Sequence, residues 1–289
     1  MTTELAFIDA LRSLATHPGA RNFADDCAVL EFGGETLVLT HDTMTEGVHF
    51  LPEQDPADVA WKLVTVNLSD LAAKGAEPVG VLLGYMFGRD DMRFLEGLRE
   101  ALEHYGAPLL GGDTVSGKAG QTLGLTAIGR ATHVPVPSRA GAQAGDTLYV
   151  TGAVGGAMLG LERLKAKEGD SLAYRRPEAM LKQGQALAPH VTAMMDVSDG
   201  LLLDASRMAA ASNVSVAMDS LDVPIAVPED RRAEALRWGD DYELLFTAPA
   251  SAPLPVPATP IGTVIPPSSA PVLLDGYALR DLAPLGFQH

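Results

Sequence analysis

Hydrophobic positions along the first half of the chain follow two spacings, one typical of helices and the other of strands. Apolar residues at helical spacing predict helices over residues 5–15, 58–74 and 91–105. Short apolar runs predict strands over residues 27–31, 36–40 and 122–129, with others starting at Val79 and leading into Gly111. Gly33-Gly34 between the first two strands predicts a hairpin.

A proline-rich stretch at residues 133–138 (HVPVPS) interrupts this pattern and predicts a boundary between domains at 1–135 and 136–289. Beyond it, strands are predicted over 147–151, 214–218 and 242–247, and helices over 157–167, 177–187 and 200–212. Residues 248–260 and 266–271, rich in Pro, Ala and Ser, are expected to be surface loops. Because strands and helices mix without strict alternation, we predict an α+β fold in each domain.

Composition excludes several classes of partner. The 289 residues carry a formal net charge of −16 and no basic run, which argues against nucleic-acid binding. The longest apolar stretch, residues 79–87, is too short to span a membrane, and the N-terminus lacks the pattern of a secretory signal. The single cysteine, Cys27, favours the reducing cytoplasm and is expected to be a buried small residue.

Many of the acidic residues stand at predicted loops beside Gly, Ser or Thr. They are Asp25, Asp26, Asp42, Asp70, Asp113, Asp196, Asp199, Asp240 and Asp241. Short carboxylates at strand ends suit hard cations such as Mg²⁺, and so predict an enzyme that holds several ions for a polyphosphate. The alternative for each single residue is that aspartate caps a helix or shapes a turn.

Two glycine-rich segments invite a phosphate-loop interpretation. Residues 112–118 (GDTVSGK) fit the spacing, but Ala119 stands where Ser or Thr should bind Mg²⁺ and a strand is predicted next, so we interpret the match as a decoy. Residues 152–156 (GAVGG) lie between a strand and a helix without the dinucleotide spacing, which leaves helix packing and phosphate binding both open. Ser198 stands between two aspartates with no evident general base beside it in sequence, so hydrolase chemistry of the Ser-His-Asp kind is unsupported.

A series of motifs points to a known family. In chain order they are ADDCAVL, THDTMTEGVHF, AWKLVTVNLSDLAAKGAEP, LLGGDTVSG, SRAGAQAGDTLYVTG, DVSDGLLLD, GDDYELLF and IGTVI. From about residue 7 onward the chain resembles the thiamine-monophosphate kinases, which belong to the superfamily of aminoimidazole ribonucleotide synthetase. The resemblance implies a homodimer in which N-terminal strands close a β-barrel, with ATP bound between the barrel and an α+β C-terminal domain.

The resemblance also implies an activity, the ATP-dependent phosphorylation of thiamine monophosphate, and a set of site residues. Mg²⁺ would be bound by Asp26, Asp42, Asp70, Asp113 and Asp196, with Thr40, His41 and Asp199 as further contributors. ATP would contact Gly112, Asp113, Arg139 and Ser198. Thiamine phosphate would meet His49, Asp240 and Phe287.

Three departures from the family pattern stand near these residues. Ala24 replaces a usual glycine, His41 a usual threonine, and Trp-Gly-Asp-Asp at 238–241 the usual Gly-Gly-Glu-Asp. None removes a principal aspartate. Because the acceptor phosphate is already ionised, the predicted mechanism is direct transfer without a general base. The alternatives are another ATP-dependent synthetase or kinase of the superfamily and a non-catalytic nucleotide sensor.

Overall fold

The computed structural model describes residues 4–118, 120–281 and 285–287. Its N-terminal half contains a five-stranded sheet with the strand order β1-β2-β5-β3-β4. The β3–β4 pair is parallel and the other pairs are antiparallel. These strands are β1 (Ala28–Phe32), β2 (Glu35–Thr45), β3 (Ala76–Met86), β4 (Leu109–Val115) and β5 (Thr122–Ala131).

Three helices accompany this sheet: α1 (Glu4–Arg12), α2 (Pro56–Ala73) and α3 (Asp91–Tyr105). All three agree with the sequence prediction within a few residues, and the hairpin at Gly33-Gly34 is confirmed. Gly106 ends α3 in the left-handed conformation, with φ of 64°. The described helices include none with the length and apolarity needed to span a bilayer.

The C-terminal half is built on a seven-stranded sheet with the order β12-β11-β8-β10-β6-β9-β7. Its strands are β6 (Asp146–Val150), β7 (Ala193–Asp196), β8 (Ser215–Met218), β9 (Leu244–Pro249), β10 (Thr259–Ile265), β11 (Val272–Leu274) and β12 (Tyr277–Leu279). Its helices are α4 (Gly156–Ala166), α5 (Leu172–Arg175), α6 (Leu181–Leu187), α7 (Leu201–Ala211) and α8 (Arg232–Trp238). The predicted α+β arrangement of both halves is confirmed.

Two predictions for this half were wrong in detail. The helix expected over 177–187 begins only at Leu181, because the Pro177 carbonyl accepts a bond from Trp61 and the Ala179 amide donates to Tyr105. The loop expected over 248–260 contains the start of β10, an interior strand that tolerates Pro260 because the register shifts there at a bulge. The pattern also did not predict β7, β11, β12 or α8.

Helix α2 is the centre of the molecule. Sixteen of its eighteen residues are buried, so no side of it faces solvent. It packs on β2 and β5 of the first sheet and on α6 and β7 of the second half. Asp55 caps its N-terminus by accepting from Ala57, and Gly75 follows its C-terminal end with φ of 60°. One helix therefore carries residues into the space between the two halves.

The close approach of α3 to α2 gives a stability test. A Cβ on Gly97 would lie 2.1 Å from the Ala57 carbonyl oxygen, so Gly97→Ala must push the helices apart. We expect a loss of about 1–3 kcal/mol in the free energy of unfolding, measured by urea denaturation. In the control Gly156→Ala, the nearest atom is 3.6 Å from the new Cβ, and stability should hold within about 0.5 kcal/mol. Equal stability of the two variants would contradict this account.

Candidate active site

A cleft of about 720 Å³ opens between the two halves beside α2. Most residues predicted to form the site line it. Those found there are Asp26, Asp42, Asp70, Asp196, Asp199, Arg139, Ser198, His49, Asp240 and Phe287. The structure thus brings together segments that are separated by more than 200 positions in the chain.

Asp70 stands near the C-terminal end of α2 and is held by β2. Its Oδ2 accepts a hydrogen bond from the Thr40 hydroxyl, and the Thr40 side chain is buried. One turn earlier on α2, Asn67 Oδ1 accepts from the Asp42 amide at 2.9 Å. The polar residues of NLSD therefore fix the helix to the strand that carries Asp42.

Three carboxylates form an acidic trio: Asp26, Asp70 and Asp196. One oxygen of each lies within 4.8 Å of those of the other two. Ser69 of α2 donates to Asp196 Oδ2 at 2.5 Å and so connects the first half to β7 of the second. Clustered carboxylate oxygens are the ligands that hard divalent cations prefer, so the trio fits Mg²⁺.

Buried cations adjoin the trio on one side. Lys74, which is fully buried, places Nζ 2.6 Å from Asp26 Oδ2 and 2.5 Å from Asp25 Oδ1. The guanidinium of Arg139 pairs with Asp26 Oδ1, and that of Arg21 pairs with Asp25. These pairs make the burial of Asp25 and Asp26 tolerable, because an unpaired buried charge would be costly.

The other carboxylates of the cluster have raised pKa values. Burial, followed by the charges of Asp42, Asp196 and Asp26, raises the pKa of Asp70 well above its ordinary value. Burial and the charge of Asp26 raise the pKa of Asp196 to about 8 and that of Asp42 to about 6. For Asp25 burial opposes ionisation, but Lys74 and Arg21 together hold its pKa below the ordinary value. The trio therefore favours the binding of additional positive charge.

At another part of the cleft, Lys62 of α2 forms what we call the Lys62 cluster, with Asp240, His49 and Tyr174. Lys62 Nζ pairs with Asp240 Oδ2, donates to the His49 carbonyl at 3.2 Å and lies 3.9 Å from the centre of the Tyr174 ring. Tyr174 also donates to the His49 carbonyl, at 3.0 Å. The His49 ring meets Phe287 edge-on, with the ring centres 6.4 Å apart.

A turn at residues 198–200 connects the two parts. Asp204 holds this turn by accepting from the Ser198 and Asp199 amides, each at 3.1 Å. The carbonyl groups of the turn also accept hydrogen bonds. The Ser198 carbonyl accepts one from the Asp240 amide at 2.7 Å, and the Asp199 carbonyl accepts one from the Phe287 amide at 2.8 Å. Residues predicted to contact ATP and residues predicted to contact thiamine phosphate thus share one backbone support.

Four predicted residues do not line the cleft. Thr40 is buried behind Asp70 and donates a hydrogen bond to it. His41 is exposed on the other face of the first sheet, where Nδ1 is 2.8 Å from the Thr126 hydroxyl. Gly112 and Asp113 belong to β4, whose residues are all exposed. From β4 to β2 the sheet pairs Asp113 with Gly84 of β3, Gly84 with Gly124 of β5, and Gly124 with Thr43 of β2. Asp113 therefore lies three strands away from β2.

The two glycine-rich segments are accounted for without a phosphate. Residues 112–115 lie within β4 and the next element is the strand β5, which confirms the decoy interpretation; Ala119 lies outside the described residues. At the start of α4, Asp241 accepts from the Gly155 and Ala157 amides at 2.7 and 3.1 Å. That helix end is already capped by a carboxylate, so helix packing is the better account. Cys27 is buried as expected.

Sequence reasoning missed two cations of the site, Lys62 and Lys74, although it named Arg139. Lys62 and Lys74 lie on α2 and at its C-terminal cap, where a helix with one solvent-facing side would simply expose them. Their spacing of twelve residues is about 3.3 helical turns, which places them on different sides of the helix, so helical periodicity gave no signal that both lie near the site.

Comparison with known proteins places this architecture in a class. The chain matches the family models for AIR synthase related protein, with the N-terminal domain at residues 24–131 and the C-terminal domain at residues 143–264. A two-sheet fold with an acidic cleft between the halves is therefore that of an AIR synthase related protein.

Individual relatives narrow the class. The thiamine-monophosphate kinase of Escherichia coli K12 is 39% identical over 249 residues, covering 78% of this chain and 75% of the relative. The thiamine-monophosphate kinase of Aquifex aeolicus VF5 is 30% identical over 309 residues, covering 99% of this chain and 97% of the relative. The chain belongs to the thiamine-monophosphate kinase family. A solved structure, AaThiL complexed with AMPPCP and TMP, superimposes with a TM-score of 0.88 at 30% identity, covering 99% of this chain and 97% of the other.

The acidic trio yields a test by metal addition. Mg²⁺ with ATP should stabilise the fold, by about 2.7 kcal/mol at a hundredfold excess over Kd, and raise the melting temperature by several degrees. Asp70→Asn should abolish most of this gain, since it removes a buried charge that the cation would neutralise. Without metal the variant should melt at or above the wild type, because an ionised Asp70 with a raised pKa destabilises the fold. Differential scanning fluorimetry with and without EDTA measures both effects.

The matched control is Asp230→Asn, which removes one negative charge from an exposed position outside the cleft. It should keep the full thermal shift. If Asp70→Asn shows the same shift as the wild type, the assignment of the trio to a metal is wrong.

Proposed function

We propose that this chain transfers the γ-phosphoryl group of ATP to thiamine monophosphate, forming thiamine diphosphate and ADP. The observation that carries this proposal is the single cleft that contains both the acidic trio and the Lys62 cluster. Family membership supports it, as does AaThiL, which was solved with AMPPCP, an ATP analogue, and with TMP. Mg²⁺ as the metal and a cytoplasmic location are parts of the same proposal.

We assign the nucleotide phosphates to the trio and the acceptor to the Lys62 cluster. Arg139 and Ser198 lie beside the trio and would bind ATP. Thiamine phosphate would lie against His49, Asp240 and Phe287. Its thiazolium ring is a cation, and a carboxylate with a neighbouring aromatic ring attracts such a ring. Trp238, which is 40% exposed in the same cleft, adds a second aromatic surface at this end.

The chemistry requires positioning more than proton transfer. A phosphate monoester has its second pKa near about 6, so the acceptor oxygen is already ionised at neutral pH and needs no general base. The trio would hold the divalent ions, and their positive charge would offset the repulsion between the two anionic substrates. The residues of the chain hold donor and acceptor in line through the shared turn at 198–200, and transfer is direct, without a phosphoenzyme.

We infer further that the site is completed by a second copy of the chain. Three strand spacings, roughly 14 Å, separate Asp113 on β4 from β2, the strand that carries Asp42, whereas Mg²⁺ binds its ligands at about 2.1 Å. Asp113 and Asp42 of one chain therefore cannot share an ion. The sheet face that carries Asp113 also exposes apolar side chains, among them Leu82, and such a face fits a homodimer interface.

A product assay tests the reaction. Purified protein with ATP, Mg²⁺ and thiamine monophosphate should form thiamine diphosphate and ADP in equal amounts, separated by chromatography, and neither should form when Mg²⁺ is left out. Asp240→Asn should raise the KM for thiamine monophosphate about tenfold or more while changing that for ATP little, since a charge-assisted contact is lost on the acceptor side only. ATP turnover without thiamine diphosphate would move the acceptor to another small molecule.

The shared site predicts complementation between two inactive variants. Asp70→Asn and Asp113→Asn should each be nearly inactive alone. A heterodimer of the two, isolated through two different tags, should recover about half of the wild-type activity, because one of its two sites keeps both carboxylates. If Asp70 and Asp113 of the same chain acted together, both sites would carry one defect and the heterodimer would stay inactive.

A further inference from the structure

Asp26 is held by two cations that differ in their freedom to leave. Lys74 has no exposed side-chain surface, and its Nζ contacts Asp26 Oδ2, Asp25 Oδ1 and, at 3.2 Å, the Met194 carbonyl. Two of these contacts are hydrogen bonds, to Asp25 and Met194, and the third is an ion pair with Asp26, so this buried cation is held from three sides. Lys74 is therefore a fixed counter-ion, and it permanently occupies one oxygen of Asp26.

Arg139 differs from Lys74 in its exposure and in its hydrogen bonding. Its side chain is 19% exposed and lines the cleft. Its Nε is buried without a hydrogen-bond partner among the described residues, so the guanidinium is not fully satisfied where it lies. Its main-chain amide donates to Asp25 at 3.2 Å, which anchors the backbone while leaving the end of the side chain able to turn.

The two roles expected of Arg139 compete for the same group. Arg139 occupies Asp26 Oδ1, the oxygen that Lys74 leaves available to an ion in the trio. Under the proposed function it would also contact the ATP phosphates, and a guanidinium paired with Asp26 has fewer donors for them. A divalent ion at Asp26 would take over the pairing with that carboxylate and leave Arg139 available for the phosphates.

We propose that Arg139 is a placeholder cation, which neutralises Asp26 until a divalent ion replaces it and then turns to the nucleotide phosphates. This inference rests on the proposed function. It follows that metal and nucleotide strengthen each other's binding, because each favours the position of Arg139 that the other needs. By linkage the factor must be the same in both directions.

The experiment measures Mn²⁺ binding by titration calorimetry, without turnover, in the presence and absence of ADP. For the wild type we expect the Mn²⁺ affinity to rise about tenfold when ADP is present, within the usual range of such couplings. For Arg139→Gln we expect Mn²⁺ alone to bind about five- to tenfold more tightly than to the wild type, and the effect of ADP to shrink toward none. The loss of an ATP contact alone would not tighten metal binding.

The control is Arg237→Gln, which removes the same charge from another cleft residue. Among the described residues, Arg237 forms no ion pair with a carboxylate and donates to the Ala233 carbonyl. It should change the Mn²⁺ affinity by less than about twofold, since its charge acts only from a distance. Arg139→Lys keeps a cation that can reach Asp26 and should bind Mn²⁺ more like the wild type. Melting temperatures establish that each variant is folded.

The outcomes separate this inference from the proposed function. Unchanged Mn²⁺ affinity in Arg139→Gln, or an equal gain in Arg237→Gln, would overturn the placeholder role; if Mn²⁺ with ADP still bound to the wild type, the proposed kinase would stand. Failure of the wild type to bind Mn²⁺ in either condition would overturn both. Tighter Mn²⁺ binding confined to Arg139→Gln, with the coupling lost, supports the inference.

Discussion

The complete burial of helix α2 is the constraint on which the rest of the structure depends. An ordinary amphipathic helix covers one sheet and exposes its other side, but this one is covered by the first sheet on one side and by α6 and β7 on another. Every polar residue on it must then find a partner inside the protein. Asn67, Ser69 and Asp70 do so by bonding to β2 and to Asp196, and these bonds assemble the carboxylates.

The same constraint explains how so acidic a cleft can exist in a folded protein. A carboxylate that is buried without compensation is expensive, and the trio would repel itself. Lys74 and Arg139 compensate one side of the trio, while the cleft leaves the other side open to ions from solvent. The protein can therefore fold around the site, while the cleft stays short of positive charge where the proposed function places two anionic substrates. This shortage is what makes the binding of metal ions favourable there.

The sequence predicted the fold, the acidic part of the site and Arg139 better than the two lysines, Lys62 and Lys74. Helices such as Asp91–Tyr105 and the Gly-Gly hairpin follow from local spacing and turn chemistry alone. The roles of Lys62 and Lys74 could not be predicted, because their burial comes from the second half of the chain, more than a hundred positions away. β10 was missed because Pro260 indicates a loop by itself. Only the pairing with β6 reveals the bulge that accommodates this proline in a strand.

The two faces of the first sheet carry different sets of the predicted site residues. Side chains alternate along a strand, so in residues 41–43 Asp42 faces α2 while His41 and Thr43 face the other way. The second face of the sheet carries polar residues together with exposed leucines such as Leu82, which is the composition of a surface that another protein covers. The same alternation places Asp113 on that face, too far from its own cleft to meet Asp42 at one ion. Under the proposed homodimer, a partner packed on this face would make both sets of residues useful at once, because each chain would supply the trio of one site and Asp113 of the other.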